Sequence, residues 1–151
     1  MERLNLPEFN FILKTENNTT YIFDEIRKKY IILTPEEWVR QNFLKYLIKY
    51  KNYPVGLISI EKSLIINNIN KRYDTLIYSR SGKPRMIIEF KSPEIKLNQK
   101  ALEQVLTYNY GLRVEYIILT NGLKHYCVKY DNTTGKIIYL DNIPNYSTID
   151  Y

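Results

Sequence analysis

Residues 71–108 constrain the fold most, because they read in one pass as strand, turn, strand, loop and helix. Asp74 begins the apolar run DTLIY, SRSGKP at 79–84 supplies turn residues, and RMIIEFK follows as a second apolar run. Two such runs around a short Gly- and Pro-containing loop predict an antiparallel hairpin. With 79–84 as the loop, Tyr78 pairs with Arg85, Leu76 with Ile87 and Asp74 with Glu89. Strand side chains alternate in direction, and opposed residues share a face. Asp74, Glu89 and Lys91 therefore project from one side, and Ile77, Met86, Ile88 and Phe90 from the other. Two carboxylates and an ammonium so placed suit a divalent metal beside a catalytic lysine. A solvated face with a surface ion pair explains the same residue types equally well.

The flanking sequence predicts a helix on either side of this hairpin. Thr34-Pro35-Glu36-Glu37 is a helix start, with Thr34 as cap, Pro35 at the first helical position and Glu37 completing a capping box. Val39, Phe43, Leu47 and Tyr50 recur at helical spacing, which gives a helix over about 34–51 ending near Asn52-Tyr53-Pro54. Residues 55–67 form a strand or a bent pair of strands. A second helix runs from about Asn98 to Tyr110, with Ala101, Gln104, Val105 and Tyr108 on one face. EYIILT, the Asn-Gly turn at 121–122, LKHYCVKY, DNTTG and KIIYL (136–140) then read as strands and turns.

Ahead of the first helix, FNFIL (9–13) and TYIFD (20–24) around KTENNT suggest a hairpin or edge element. The order is a β-rich start, helix, three strands, helix, three strands. A mixed α/β sheet flanked by helices accommodates it. We expect a single domain over 1–151, with a core at about 34–130, an N-terminal extension at 1–33 and a loose tail at 141–151.

Composition narrows the function classes without choosing one. The 151 residues include 44% hydrophobic side chains, 5 Gly and 6 Pro, so a packed core is expected. The net charge of +6 is compatible with a polyanionic partner. It also fits a Lys-, Asn-, Ile- and Tyr-rich composition with no such partner. The single cysteine, Cys127, excludes an intrachain disulfide and reads as a buried small hydrophobe. No signal peptide is expected, and no apolar run approaches the ~18 residues of a membrane span. A soluble cytoplasmic protein follows, and oligomeric state is left open.

Glu89-Phe90-Lys91 alone carries little, since Glu94-Ile95-Lys96 repeats its spacing. Its place at the end of an apolar strand, opposite an acidic residue, sets it apart. Magnesium takes hard oxygen ligands, commonly one or two carboxylates plus waters and phosphates. A lysine on the same face suits activation of a water or neutralisation of charge on a phosphate. Gln104 and Tyr108, four apart on one helix face, otherwise read as core-edge residues. Glu36 and Glu37 otherwise read as helix-cap and dipole partners, and His125 as a packed bystander. Lys71, Arg72, Lys83, Arg85, Lys96 and Lys100 cluster around the hairpin in sequence and suit phosphate contacts.

Taken together, Asp74, Glu89-Phe90-Lys91 and Gln104-Val105-Leu106-Thr107-Tyr108 resemble the PD-(D/E)xK nuclease superfamily. The chain resembles more closely the N-terminal nuclease domain of type I restriction enzyme R subunits. YIFDEIRKKYIILTPEEWVRQ, KRYDTLIY and YIILTNGLKHY carry that closer likeness, which covers roughly residues 8–130. The resemblance implies a restriction-endonuclease-like αβββαβ core and a DNA endonuclease using magnesium or manganese. It implies Asp74 and Glu89 as metal ligands, Lys91 as the catalytic lysine, and Gln104 and Tyr108 ordering the site and the substrate backbone. It also assigns the first helix a glutamate near the metal, for which Glu36 fits better than Glu37. Tyr73 stands where the motif name has Pro, a position the superfamily varies. R subunits carry an ATP-driven translocase after this domain, whereas this chain runs to Tyr151. A free-standing nuclease, a nuclease working with a separate motor or specificity protein, and a repurposed nucleic-acid or partner-binding module are all compatible with that. A more distant possibility is an antitoxin-like or structural interaction protein.

Overall fold

The computed structural model describes residues 1–109 and 111–151. A three-stranded antiparallel meander comes first, with β1 at Leu13–Glu16, β2 at Thr19–Asp24 and β3 at Lys29–Ile32. Helix α1 (Pro35–Tyr50) follows, then β4 (Ile58–Ile66), β5 (Ile69–Tyr78) and β6 (Pro84–Phe90). Helix α2 (Gln99–Tyr108) leads to β7 (Tyr116–Thr120), β8 (His125–Tyr130) and β9 (Ile137–Tyr139). Strands β4 to β9 form one six-stranded sheet in sequence order, antiparallel except for β6 against β7. The parallel step is where α2 crosses over, as a parallel pair requires. The mixed sheet and the helix–strand order agree with expectation.

Each face of the sheet has its own apolar layer. Val39, Phe43 and Leu47 of α1 pack with Ile77, Met86, Ile88, Phe90 and Ile118. On the other face Leu102 of α2 joins Leu76, Ile87, Ile117 and Leu119. Every residue of β7 is buried, as a central parallel strand covered on both sides should be. Tyr50, expected on the α1 stripe, is instead 57% exposed at the helix end.

Local chemistry sets the element ends. The Thr34 hydroxyl accepts the Glu37 N–H at 3.0 Å, closing the predicted cap, but the Glu37 carboxylate turns inward instead of returning to Thr34. Asn98 caps α2 through Ala101 N–H, and the predicted end of that helix at Tyr110 lies outside the described residues. Two hairpins turn on Asn-Asn pairs, at Asn17-Asn18 (φ 49° and 65°) and Asn67-Asn68 (φ 51° and 64°). Two successive positive φ values are what a type I′ hairpin needs, and Asn tolerates that region better than most residues.

Three expectations are corrected. The Asn121-Gly122 turn is not a two-residue hairpin: Thr120 pairs with His125, and the Asn121 side-chain oxygen accepts from Leu123 and Lys124 N–H. Opposite the hairpin loop, Tyr78 pairs with Pro84 rather than Arg85, through a bulge between Ile77 and Tyr78. Residues 141–151 are not a loose tail. Tyr146 and Ile149 are buried in the α1-side core from a short helix, α3 (Tyr146–Ile149). Tyr146 OH donates to Tyr78 C=O, Tyr53 OH to Pro144 C=O, and Arg80 pairs with Asp150. One helical turn holds too few apolar residues to show a period, so the sequence reads as tail.

Ile149→Ala should destabilise the domain by about 2–5 kcal/mol, the range for emptying a packed core site. Urea unfolding checks this; an unpacked tail would show at most ~0.5 kcal/mol.

Candidate functional site

The site forms where β5 and β6 leave their regular ladder. Leu76 pairs with Ile87 and Thr75 with Ile88, as the hairpin register predicts. Beyond that point Asp74 interrupts the ladder, and its Oδ2 accepts the Phe90 N–H at 3.0 Å. On the other flank β4 is irregular at the same level. Ile60 pairs with Thr75 and Lys62 with Tyr73, while Glu61 between them has φ +53°. Such irregularities re-aim side chains, and here Tyr73 joins Leu76 in the layer on the α2 side.

The bond from the Phe90 N–H holds the Asp74 carboxylate against the residue next to Glu89. Burial first, then the charge of Asp74, pushes the Glu89 carboxyl up to about 7, with Lys91 opposing. Lys91 Nζ stands 3.9 Å from Glu89 Oε1. Glu36, on the first turn of α1, is raised as well, by burial and by Asp74, with Arg40 and Lys91 opposing. The two glutamates at the helix start therefore separate. Glu36 faces the Asp74 and Glu89 pair, while Glu37 is buried and accepts from Arg27, Arg40 and Gln41. Among the described residues no three His, Cys, Asp or Glu side chains converge as a ligand group. The close unit is the two-carboxylate pair, and its oxygen donors fit a hard dication completed by water.

Arg40 is the residue that the sequence reading missed. It is 5% exposed and pairs with Glu37 at 2.6 Å, with Glu36 at 3.7 Å and with Asp74 at 3.9 Å. Its guanidinium lies over the Phe90 ring, 5.5 Å from the centroid. A cation three and four residues after Glu37 and Glu36 on one helix was the available signal. Arg27 continues the alternation, joining Glu37 to Asp24.

Gln104 and Tyr108 stand on the same side as Glu89 and Lys91, around a cavity of about 200 Å³. Tyr108 OH accepts the Arg72 N–H at 2.9 Å, and its ring meets Tyr73 edge-on at 5.2 Å. The predicted phosphate-contacting residues divide. Lys71 lies over the Tyr108 ring and Arg72 pairs with Glu61, both beside this cavity. Lys96 and Lys100 are exposed, before and on the first turn of α2. Lys83 and Arg85 are elsewhere, at the turn end of the hairpin. Four residues of strand put Arg85 about 13 Å from Glu89, and it is engaged by Glu115 and Ile149 C=O. His125 is a packed bystander, bonded to Thr120 and Asn5. Cys127 is buried, which pushes its thiol up to about 12.

Helix, three antiparallel strands, helix and a parallel strand define a mixed α/β fold with the order of a restriction-endonuclease-like core. The family model for the N terminus of type I restriction enzyme R proteins matches residues 35–144, and the chain belongs to that family. A solved structure described as a fragment of an HsdR subunit of a type I restriction enzyme from Vibrio vulnificus aligns with a TM-score of 0.56 at 20% identity. The alignment covers 78% of this chain and 24% of that one, so the chain spans about a quarter of its relative, and the likeness speaks to the fold. No curated protein matches the sequence. Among the described residues no helix is long and apolar enough to cross a membrane.

The Glu89 shift sets a pH dependence. Between about 4.5 and 7 the folded state binds more protons than the unfolded chain, so stability should fall as pH rises through that window. Glu89→Gln should flatten the fall, measured as unfolding midpoint against pH without divalent metal.

Proposed function

We propose that the domain hydrolyses DNA phosphodiester bonds, with Asp74 and Glu89 holding magnesium or manganese and Lys91 assisting the attacking water. The observation that carries this reading is Asp74, bonded to the Phe90 N–H next to Glu89, with the Lys91 ammonium 3.9 Å from Glu89. A buried Glu89 carboxyl held up to about 7 by burial and by the charge of Asp74 gains from a hard dication. When bound, that ion would polarise a phosphoryl oxygen and acidify water.

The remaining roles belong to this chain's side chains. Asp74 is oriented by the Phe90 N–H through Oδ2, and its Oδ1 lies 3.9 Å from the Arg40 guanidinium. Lys91 offers a proton donor and a positive charge where charge develops on the phosphate. Glu36 adds a half-exposed carboxylate suited to hydrogen-bonding water. Gln104 and Tyr108 position the strand, and Lys71, Arg72, Lys96 and Lys100 contact phosphates without reading sequence. Lys83 and Arg85 have no part in this reading. We place the activity in the cytoplasm, in a restriction system, alongside a motor or specificity protein.

Purified protein should nick plasmid DNA with magnesium or manganese. Glu89→Ala and Lys91→Ala should each cut at least about a hundredfold more slowly, the usual scale for such groups, with unfolding midpoints close to that of the parent. Cutting by either variant at the parent rate overturns the assignment. Salt-sensitive DNA binding without cutting would instead favour the binding-module reading, which Lys71 over the Tyr108 ring and the exposed Arg72 support.

A further inference from the structure

The cavity between α2 and the sheet has more apolar wall than a phosphate path needs. Tyr73 and Ile87, each almost fully buried, form its floor, and Val105 of α2 forms one side. Tyr108 stands at the rim, 41% exposed, and Glu89 and Lys91 open onto the same space. Lys71 and Arg72 add positive charge beside Tyr108. At about 200 Å³ the space is smaller than the roughly 300–1,000 Å³ of drug-sized ligand pockets.

A paired, stacked base cannot reach such a recess, because its edges and faces are committed inside the duplex. An unpaired base can, since aromatic and apolar surfaces accept its face whatever its identity. The cationic rim complements the phosphates on either side of it. We propose that this cavity binds one unstacked nucleobase of a DNA strand passing Glu89 and Lys91, so that the domain takes single-stranded or locally opened DNA in preference to closed duplex. This deepens the nuclease reading, and it rests on that reading for the strand's path past Glu89 and Lys91.

The test is binding without metal, so that cutting does not enter. A labelled oligothymidine, a blunt duplex of equal length and an oligomer of abasic nucleotides are titrated by fluorescence anisotropy in EDTA at low salt. The single strand should bind about tenfold more tightly than both the duplex and the abasic strand, the scale of one stacked base. Val105→Phe, which fills the cavity from the helix surface, should remove that advantage while leaving duplex binding within about twofold. Equal binding of abasic and normal strands overturns the proposal, as does tighter binding of duplex or no binding of any strand. If Val105→Phe fails to fold, the abasic comparison on the parent protein still decides. Base-dependent binding with no cutting in magnesium or manganese would sink the nuclease reading and leave the pocket. Cutting with base-independent binding would do the reverse.

Discussion

The Phe90 N–H bonded to Asp74 Oδ2 ties the hairpin to the site. In a regular ladder that donor would find a backbone carbonyl on the neighbouring strand. Taking it with a side chain ends the pairing where the chemistry begins, and it fixes one carboxylate oxygen at no further cost in side-chain freedom. A buried backbone donor must be satisfied, so Asp74 serves the fold whether or not an ion is present. Glu89, one residue earlier on β6, points to the α2 side, while Phe90 anchors the α1 side beneath Arg40. The strand thereby separates a charged face from an apolar one within two residues.

Much of this could be read in the sequence, for identifiable reasons. Helix α1 announces itself by Thr34, Pro35 and an apolar period, and β7 by five consecutive apolar or β-favouring residues. The parity of the hairpin placed Asp74, Glu89 and Lys91 together because the predicted register holds at Thr75 and Leu76, where a one-residue slip would have turned Asp74 to the other face. The bulge at Ile77 and Tyr78 shifted the pairing near the loop without disturbing Leu76 against Ile87.

What escaped depends on long-range packing. Arg40 reaches Asp74 only because the first turn of α1 lies across the open end of the hairpin, which no local pattern encodes. Tyr73 packs with Leu76 on the α2 side, and Arg85 meets Glu115 because β6 and β7 are neighbours. Residues 141–151 carry no periodic signal, yet Tyr146 and Ile149 fill a gap left by α1 and the sheet. Polar and terminal segments take their places from partners far away in sequence.

Asp24, Arg27, Glu37, Arg40 and Asp74 form a row of alternating charges from the end of β2 to the site. The family match begins at residue 35, inside that row. Cutting the chain there would remove Asp24 and Arg27 and leave the Glu37 carboxylate, 6% exposed at its side chain, facing Arg40 without its second cation. Removing one partner of a buried charged set is among the more damaging changes a fold can suffer. Charge balance thus ties the meander, which lies before the family match, to the first turns of α1.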